Sequence, residues 1–336
     1  MSSLSLRHPT LGSTRSHLSL MLALGAAAAL GACDRADGPL APADEPMPSA
    51  GDAVPAPDNV ISALTTQRIV FTSSRNGNSD IYKMDPQGGS VVPLTASADL
   101  EWAPAWSHDN RYVAMNRPRW DPVAGYHYDI YLINADGSDG HWVRSKTAGF
   151  DMYHPSWSPD GTRLALSVTV SGALYVGWMS VTTGMIGVFS TGYGGLQGRE
   201  PAYTPAGQIV YVGATGKTID RINADGSGHK TLVSSSANLS QPSISPDGKR
   251  LAYVKMTTTI NPDIYVKNLV DGTGKRLTTF SGDDFQPTWS PDGTKLAFTS
   301  SRSGGYQIWT MSSTTGGSLT RITHTSGGEK DPMWSH

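Results

Sequence analysis

One short element recurs six times along this chain and leaves few folds open to it. Pro-x-aromatic-Ser stands at Pro104–Ser107, Pro155–Ser158, Pro287–Ser290 and Pro332–Ser335, with looser copies at Pro201–Thr204 and Pro242–Ser245. The six prolines lie 51, 46, 41, 45 and 45 residues apart. A period in that range marks a repeat architecture, in which each unit buries its apolar face against its neighbours. Three copies run on into Ser-Pro-Asp-Gly, ending at Gly161, Gly248 and Gly293. In such a turn Pro presets φ, Asp hydrogen-bonds back to the backbone, and Gly takes the left-handed position. Asn110 stands where Gly would, and Pro205-Ala206-Gly207 keeps both ends of the turn.

Each turn leads into a short alternating strand: Leu164–Leu166, Ile209–Tyr211, Leu251–Tyr253 and Leu296–Phe298. A third strand opens on Ile81-Tyr82, Ile130-Tyr131, Ile264-Tyr265 or Ile308-Trp309, then meets an Asp-Gly or Gly-Gly turn and a fourth strand such as Gly274–Thr278. Four short strands per unit describe a propeller blade. The chain's 37 Gly and 22 Pro, placed within the period, exclude a helical repeat. The first copy, Arg68–Thr95, lacks the Pro-x-Trp-Ser strand, and the last, Pro332–His336, is only that strand. Joined, they complete one blade. The expectation is an all-β, six-bladed propeller of four-stranded blades, closed with no exposed edge.

The runs Trp157-Ser158-Pro159-Asp160-Gly161 and Trp289-Ser290-Pro291-Asp292-Gly293 resemble the repeats of TolB-type propellers, a WD40-like Pro-Asp repeat family. So do Phe298–Gly304 and Asp80-Ile81-Tyr82-Lys83-Met84-Asp85. The resemblance covers about 270 residues, essentially the whole folded part. It implies a six-bladed propeller that serves as a binding module in a bacterial envelope. Members acting in the Tol–Pal system carry an α/β domain ahead of the propeller; here a tether is expected in its place.

That tether follows an export signal. Arg7, His8, Arg15 and His17 precede an apolar run, Leu18–Ala32, that is too short to span a bilayer as a helix. Cys33, the chain's single cysteine, follows directly in Leu30-Gly31-Ala32-Cys33, which resembles the lipobox of bacterial lipoproteins. The reading is a lipoprotein signal peptide over 1–32, a disordered Pro/Ala-rich tether over 33–66 and a propeller over 67–336, with Cys33 the lipid attachment site. The protein is then a monomer held to an envelope membrane through its lipid alone.

Several chemistries lack their residues. With 26 Lys+Arg against 28 Asp+Glu there is no electrostatic footprint for nucleic acid. One cysteine excludes a disulfide framework and a multi-cysteine zinc site. There is no Gly-x-Ser-x-Gly elbow and no His-Glu-x-x-His. Gly213-Ala214-Thr215-Gly216-Lys217-Thr218 has two residues between its glycines where a phosphate loop needs four. Asn134–Asp139 has calcium-like oxygens but no closing Glu, and its partial repeat at Asn223–Gly226 marks an ordinary blade turn. No cofactor and no metal are expected.

Function therefore falls to surface. The short uniform turns share one face; the strand-two-to-three loops and the blade linkers share the other, variable one, where binding is expected. The residues before the inner-strand prolines, Ala103, His154, Glu200, Gln241, Gln286 and Asp331, are expected at the channel mouth on that face. Five polar side chains converging there could bind a cation, a sugar or a peptide, or could cap the strand starts. The longest strand-two-to-three loop, Asn116–Tyr128, carries Arg117, Arg119, Trp120, Tyr126, His127 and Tyr128, residue types frequent in interaction hot spots. Two function classes stay open. The first is a non-catalytic module binding an envelope protein or polymer. The second is a carbohydrate-active enzyme like the oligogalacturonate lyases, whose related propeller holds a metal through His and Gln; here the candidates are His154, Gln241 and Gln286.

Overall fold

A computed structural model describes residues 67–122, 125–143, 150–190, 195–256 and 261–336. The expected signal peptide over 1–32, Cys33 and the expected tether lie outside them. The first blade joins β1 (Ile69–Ser73), β2 (Asp80–Met84) and β3 (Val92–Pro93) to the last strand of the chain, β24 (Glu329–Trp334). The second holds β4 (Trp102–Trp106), β5 (Tyr112–Asp121), β6 (Gly125–Asn134) and β7 (His141–Trp142); the third holds β8 (Met152–Trp157), β9 (Arg163–Val170), β10 (Ala173–Ser180) and β11 (Ile186–Val188). The fourth is β12 (Gly198–Tyr203), β13 (Ile209–Gly213), β14 (Thr218–Ile222) and β15 (Lys230–Ser234). The fifth is β16 (Asn238–Ile244), β17 (Arg250–Met256), β18 (Pro262–Asn268) and β19 (Gly274–Arg276). The sixth is β20 (Asp284–Trp289), β21 (Lys295–Ser300), β22 (Gln307–Ser312) and β23 (Thr320–Arg321). Every pairing within a blade is antiparallel and runs from inner to outer strand in order.

The ring closes as the sequence predicts. β24 lies antiparallel to β1, pairing Trp334 with Ile69 and Glu329 with Ser73. The Ser335 amide extends the closure by donating to the Arg68 carbonyl at 2.8 Å.

The inner-strand turns fold through their own side chains. The Ser107, Ser158, Ser245 and Ser290 hydroxyls donate to the aspartate two residues on, at 2.5, 2.6, 2.5 and 2.6 Å. The last turn position is left-handed, φ 71° at Gly161 and 58° at Asn110, a conformation that Gly and Asn adopt most readily.

The apolar core is distributed as six clusters, each spanning two adjacent blades. Trp106, Trp157, Trp289 and Trp334 each fill one of them and are buried. Both faces of a blade therefore see protein, and the strands read as nearly continuous buried runs such as Ile69–Ser73 and Ile209–Gly213.

One expectation is corrected. Asn116–Tyr128 is mostly strand: β5 continues to Asp121 and β6 begins at Gly125, pairing Arg119 with His127 and Trp120 with Tyr126. Tyr126 and Tyr128 of β6, residues of high strand preference, pair with Trp120 and Pro118 of β5, and the hairpin extends as strand instead of leaving a loop.

Candidate channel and aromatic ribbon

In all six inner strands the residue before the proline is left-handed: φ is 51° at Ala103, 55° at His154, 54° at Glu200, 52° at Gln241, 58° at Gln286 and 52° at Asp331. Positive φ is uncommon outside glycine, and a following proline biases a residue towards extended backbone. Sixfold recurrence makes this a built feature of the strand. It coincides each time with a slip in the pairing to the second strand, as between Trp102 and Ala105 or Arg199 and Ala202. Each inner strand thus carries a β-bulge that re-aims the pre-proline residue.

The bulges link into a circumferential relay. The Gln241 amide donates to Glu200 Oε2 at 2.5 Å, the Gln286 amide to Gln241 Oε1 at 2.9 Å, and the Asp331 amide to Gln286 Oε1 at 2.9 Å. The Ala103 amide leans on Asp331 Oδ2 at 3.4 Å. Where the side chain cannot serve, the second strand substitutes: Asn116 Oδ1 receives the His154 amide at 3.0 Å, and Ser167 Oγ receives the Glu200 amide at 2.8 Å. Gln286 Nε2 also contacts Asp331 Oδ1, and the Thr72 hydroxyl donates to Asp331 Oδ2 at 3.0 Å. Burial pushes the Asp331 carboxyl above its ordinary range, against the Thr72 hydrogen bond and the charge of His154. These side chains cap the backbone of the neighbouring blade. His154 Nδ1 is buried without a hydrogen-bond partner.

A central cavity of about 390 Å³ runs from this ring towards the inner-strand turns. The pre-proline residues form its inner end, the six inner-strand prolines its wall, and His108, Pro205, Pro246, Pro291 and His336 its turn end. The cavity therefore extends from the pre-proline ring towards the uniform-turn face. Among the described residues no group of three or more His, Cys, Asp or Glu side chains has metal-holding geometry.

The extended hairpin is a two-faced ribbon. On its inner face Arg117 donates through Nε and Nη2 to Asp99 at 3.1 and 2.8 Å and lies 3.6 Å from buried Glu101. Arg119 pairs with buried Asp129 at 3.2 Å, and both guanidinium groups sit over the Trp142 ring. His127 is buried, with Nδ1 3.3 Å from the Gly125 carbonyl. The outer face carries Trp120, 60% exposed, against Tyr126, 76% exposed, their centroids 4.9 Å apart. Tyr128 continues that face to Trp102 at 4.9 Å and Tyr153 at 5.5 Å, and Tyr153 reaches His154 at 6.3 Å. Burial raises the Tyr153 hydroxyl far above its usual range, with Asp151 beside it adding to the effect.

Of the six hairpin residues singled out in the sequence, then, Trp120, Tyr126 and Tyr128 are displayed, while Arg117, Arg119 and His127 hold the ribbon in place. Trp102 and Tyr153 escape a search confined to the pre-proline position. They stand one residue before it, and the alternation through the bulge is the signal that finds them.

Residues 206–336 match the family described as the TolB beta propeller domain. The chain is 36% identical over 225 residues to the Tol-Pal system protein TolB of Hahella chejuensis, covering 63% of this chain and 44% of that protein. It spans less than half the length of the curated relatives it matches. The crystal structure of TolB from Acinetobacter baumannii superposes with a TM-score of 0.68 at 20% identity, covering 81% of this chain and 67% of that one. An oligogalacturonate lyase in complex with manganese superposes at 0.52 and 15% identity, covering 76% and 74%. At such identities the solved structures speak to fold alone.

Proposed function

We propose that this chain, a TolB-like six-bladed β-propeller, is a non-catalytic binding module of a bacterial envelope that docks an envelope protein through its aromatic ribbon. The observation that carries the reading is the ribbon's division of labour. Ion pairs and cation–π contacts fix one face, so the Trp120, Tyr126 and Tyr128 rings on the other are presented with little freedom left to lose on binding. Exposed aromatics in such a setting are the usual anchors of a protein interface. A relative named for the Tol-Pal system supports a protein partner within the envelope.

The anchor belongs to the same reading. Cys33 becomes the lipidated first residue of a monomeric protein, with the signal peptide over 1–32 removed and 33–66 serving as tether. Cys33→Ser is expected to move the protein into the soluble fraction, and retention of that variant on membranes at high salt would remove the anchor.

The lyase-like reading has less support. It needs Gln241 and Gln286 free for a metal, and both Oε1 atoms already accept backbone amides. The docking surface is tested by capturing the envelope partner with wild type and with Trp120→Ala plus Tyr126→Ala. Loss of capture at an unchanged melting temperature supports the surface. Undiminished capture moves the site elsewhere.

A further inference from the structure

The inner-strand turns differ at one position. After the Ser or Thr, four of them carry Pro159, Pro205, Pro246 and Pro291, whereas the second blade carries His108 and the first carries His336. Those two blades are neighbours and the closing strand β24 lies beside β4, so the odd residues meet. Their imidazoles stack with centroids 4.0 Å apart and planes within 9°. Beside the stack, Asn110 Nδ2 donates to the His336 carbonyl at 2.6 Å, and the His336 amide donates to Asn110 Oδ1 at 2.8 Å. That reciprocal pair fastens His336, two residues past β24, to the turn of the second blade. Both histidines line the turn end of the central cavity.

We propose that His108 and His336 form a proton-sensitive clasp on the ring closure, closed while both rings are neutral and released when both are charged. Two imidazolium ions repel each other at this distance, and His108 Nδ1 is buried without a hydrogen-bond partner. The groups acting on the pair are few. Asp109 and Asp160 face His108, and Asp109 is itself held by the Ser107 hydroxyl and the Arg111 amide. His336 is acted on by His108. Desolvation holds His108 below its ordinary value despite those two aspartates. His336 is exposed on its outer side, and the burial of its stacked face, followed by the charge of His108, holds it below its ordinary value.

The sign follows. Both groups bind protons more weakly in the folded chain than in the unfolded one, whose value is 6.5. The clasp's contribution is therefore complete above pH 6.5 and is lost as the pH falls from there through the lowered folded values. Release would loosen the last turn of β24 and open the cavity where the two rings flank it.

The test follows the His336 ring resonance and the amide exchange of Trp334 and Ser335 by NMR between pH 7.5 and 4. Wild type, His108→Pro and His108→Phe are compared; the first variant restores the residue of the other blades, and the second keeps a stacked ring without a charge. In wild type His336 is expected to titrate below ordinary imidazole. Its neighbouring amides, corrected for intrinsic rates, are expected to exchange up to about a hundredfold faster for each pH unit below 6.5 until both rings are charged, because release takes up two protons. Either variant should raise the His336 titration and flatten the exchange profile. A variant that folds yet keeps the wild-type profile overturns the proposal, as does a wild-type His336 that titrates at its ordinary value. Should His108→Pro fail to fold, His108→Phe decides alone.

Discussion

The indole N–H of Trp157 crosses a blade boundary to donate to the carbonyl of Ala105 at 3.0 Å. Trp289 repeats the contact onto the Ser243 carbonyl, also at 3.0 Å, whereas the buried Nε1 atoms of Trp106 and Trp334 find no partner. Four tryptophans of one motif thus differ in what their polar atom does.

Trp157→Phe should accordingly cost about 1 kcal/mol more than Trp106→Phe, because only the first loses a buried hydrogen bond. Urea unfolding of the two variants checks the difference. Truncation to Ala at any of the four should cost about 3–5 kcal/mol, the usual loss for a large buried aromatic ring.

The relay predicts a second asymmetry. Gln241→Ala leaves the Gln286 amide without its acceptor and should destabilise by about 1–3 kcal/mol, while Gln241→Glu keeps an acceptor there and should lose much less. Equal losses in chemical denaturation would mean that the relay contributes little.

Removing residues 329–336 takes away β24 and leaves the β1 edge unpaired. The truncated chain should aggregate or melt well below the full chain in a thermal scan. An unchanged melting temperature would mean that closure through β24 is dispensable.

Acid should act through the turns as well. The Ser290 hydroxyl, followed by the Thr294 amide and hydroxyl, holds the Asp292 carboxyl below its ordinary value of 3.8. Its pKa is lower folded than unfolded, so its contribution is present above pH 3.8 and is lost as the pH falls through the folded value. Asp292→Asn should be less stable at pH 7 and show a shallower loss below pH 4 in melting curves.

The two faces of the ribbon should respond differently. Arg117→Ala strips a cation from buried Glu101, whose carboxyl burial already pushes above its usual range, and should lower the melting temperature. Trp120→Ala, at an exposed site, should leave it unchanged while weakening partner capture.

Blade number, ring closure and the turns are all legible in the sequence, and each has a local cause. Ser-Pro-Asp-Gly encodes its own hydrogen bonds, and the half-copies at the two ends admit one joining. The pre-proline bulge is not legible, because the local rule argues for extended backbone before proline and neighbouring blades override it through the Glu200, Gln241 and Gln286 side chains. The hairpin is half legible. Pro118, Pro122 and Gly125 punctuate it like a loop, yet Arg117, Arg119 and Asp121 alternate with Pro118 and Trp120 as the two sides of a strand do. His108 and His336 stand 228 positions apart, and only the closed ring brings them together.

The relay of pre-proline side chains has a direction. Glu200 serves the fifth blade, Gln241 the sixth, Gln286 the first and Asp331 the second, and none of these side chains receives the pre-proline amide of the blade before its own. Damage in this propeller is therefore handed on in one rotational sense. A lesion at Gln241 should loosen the inner strand of the sixth blade while sparing that of the fourth, so the ring behaves as a one-way circuit although its outline is symmetric.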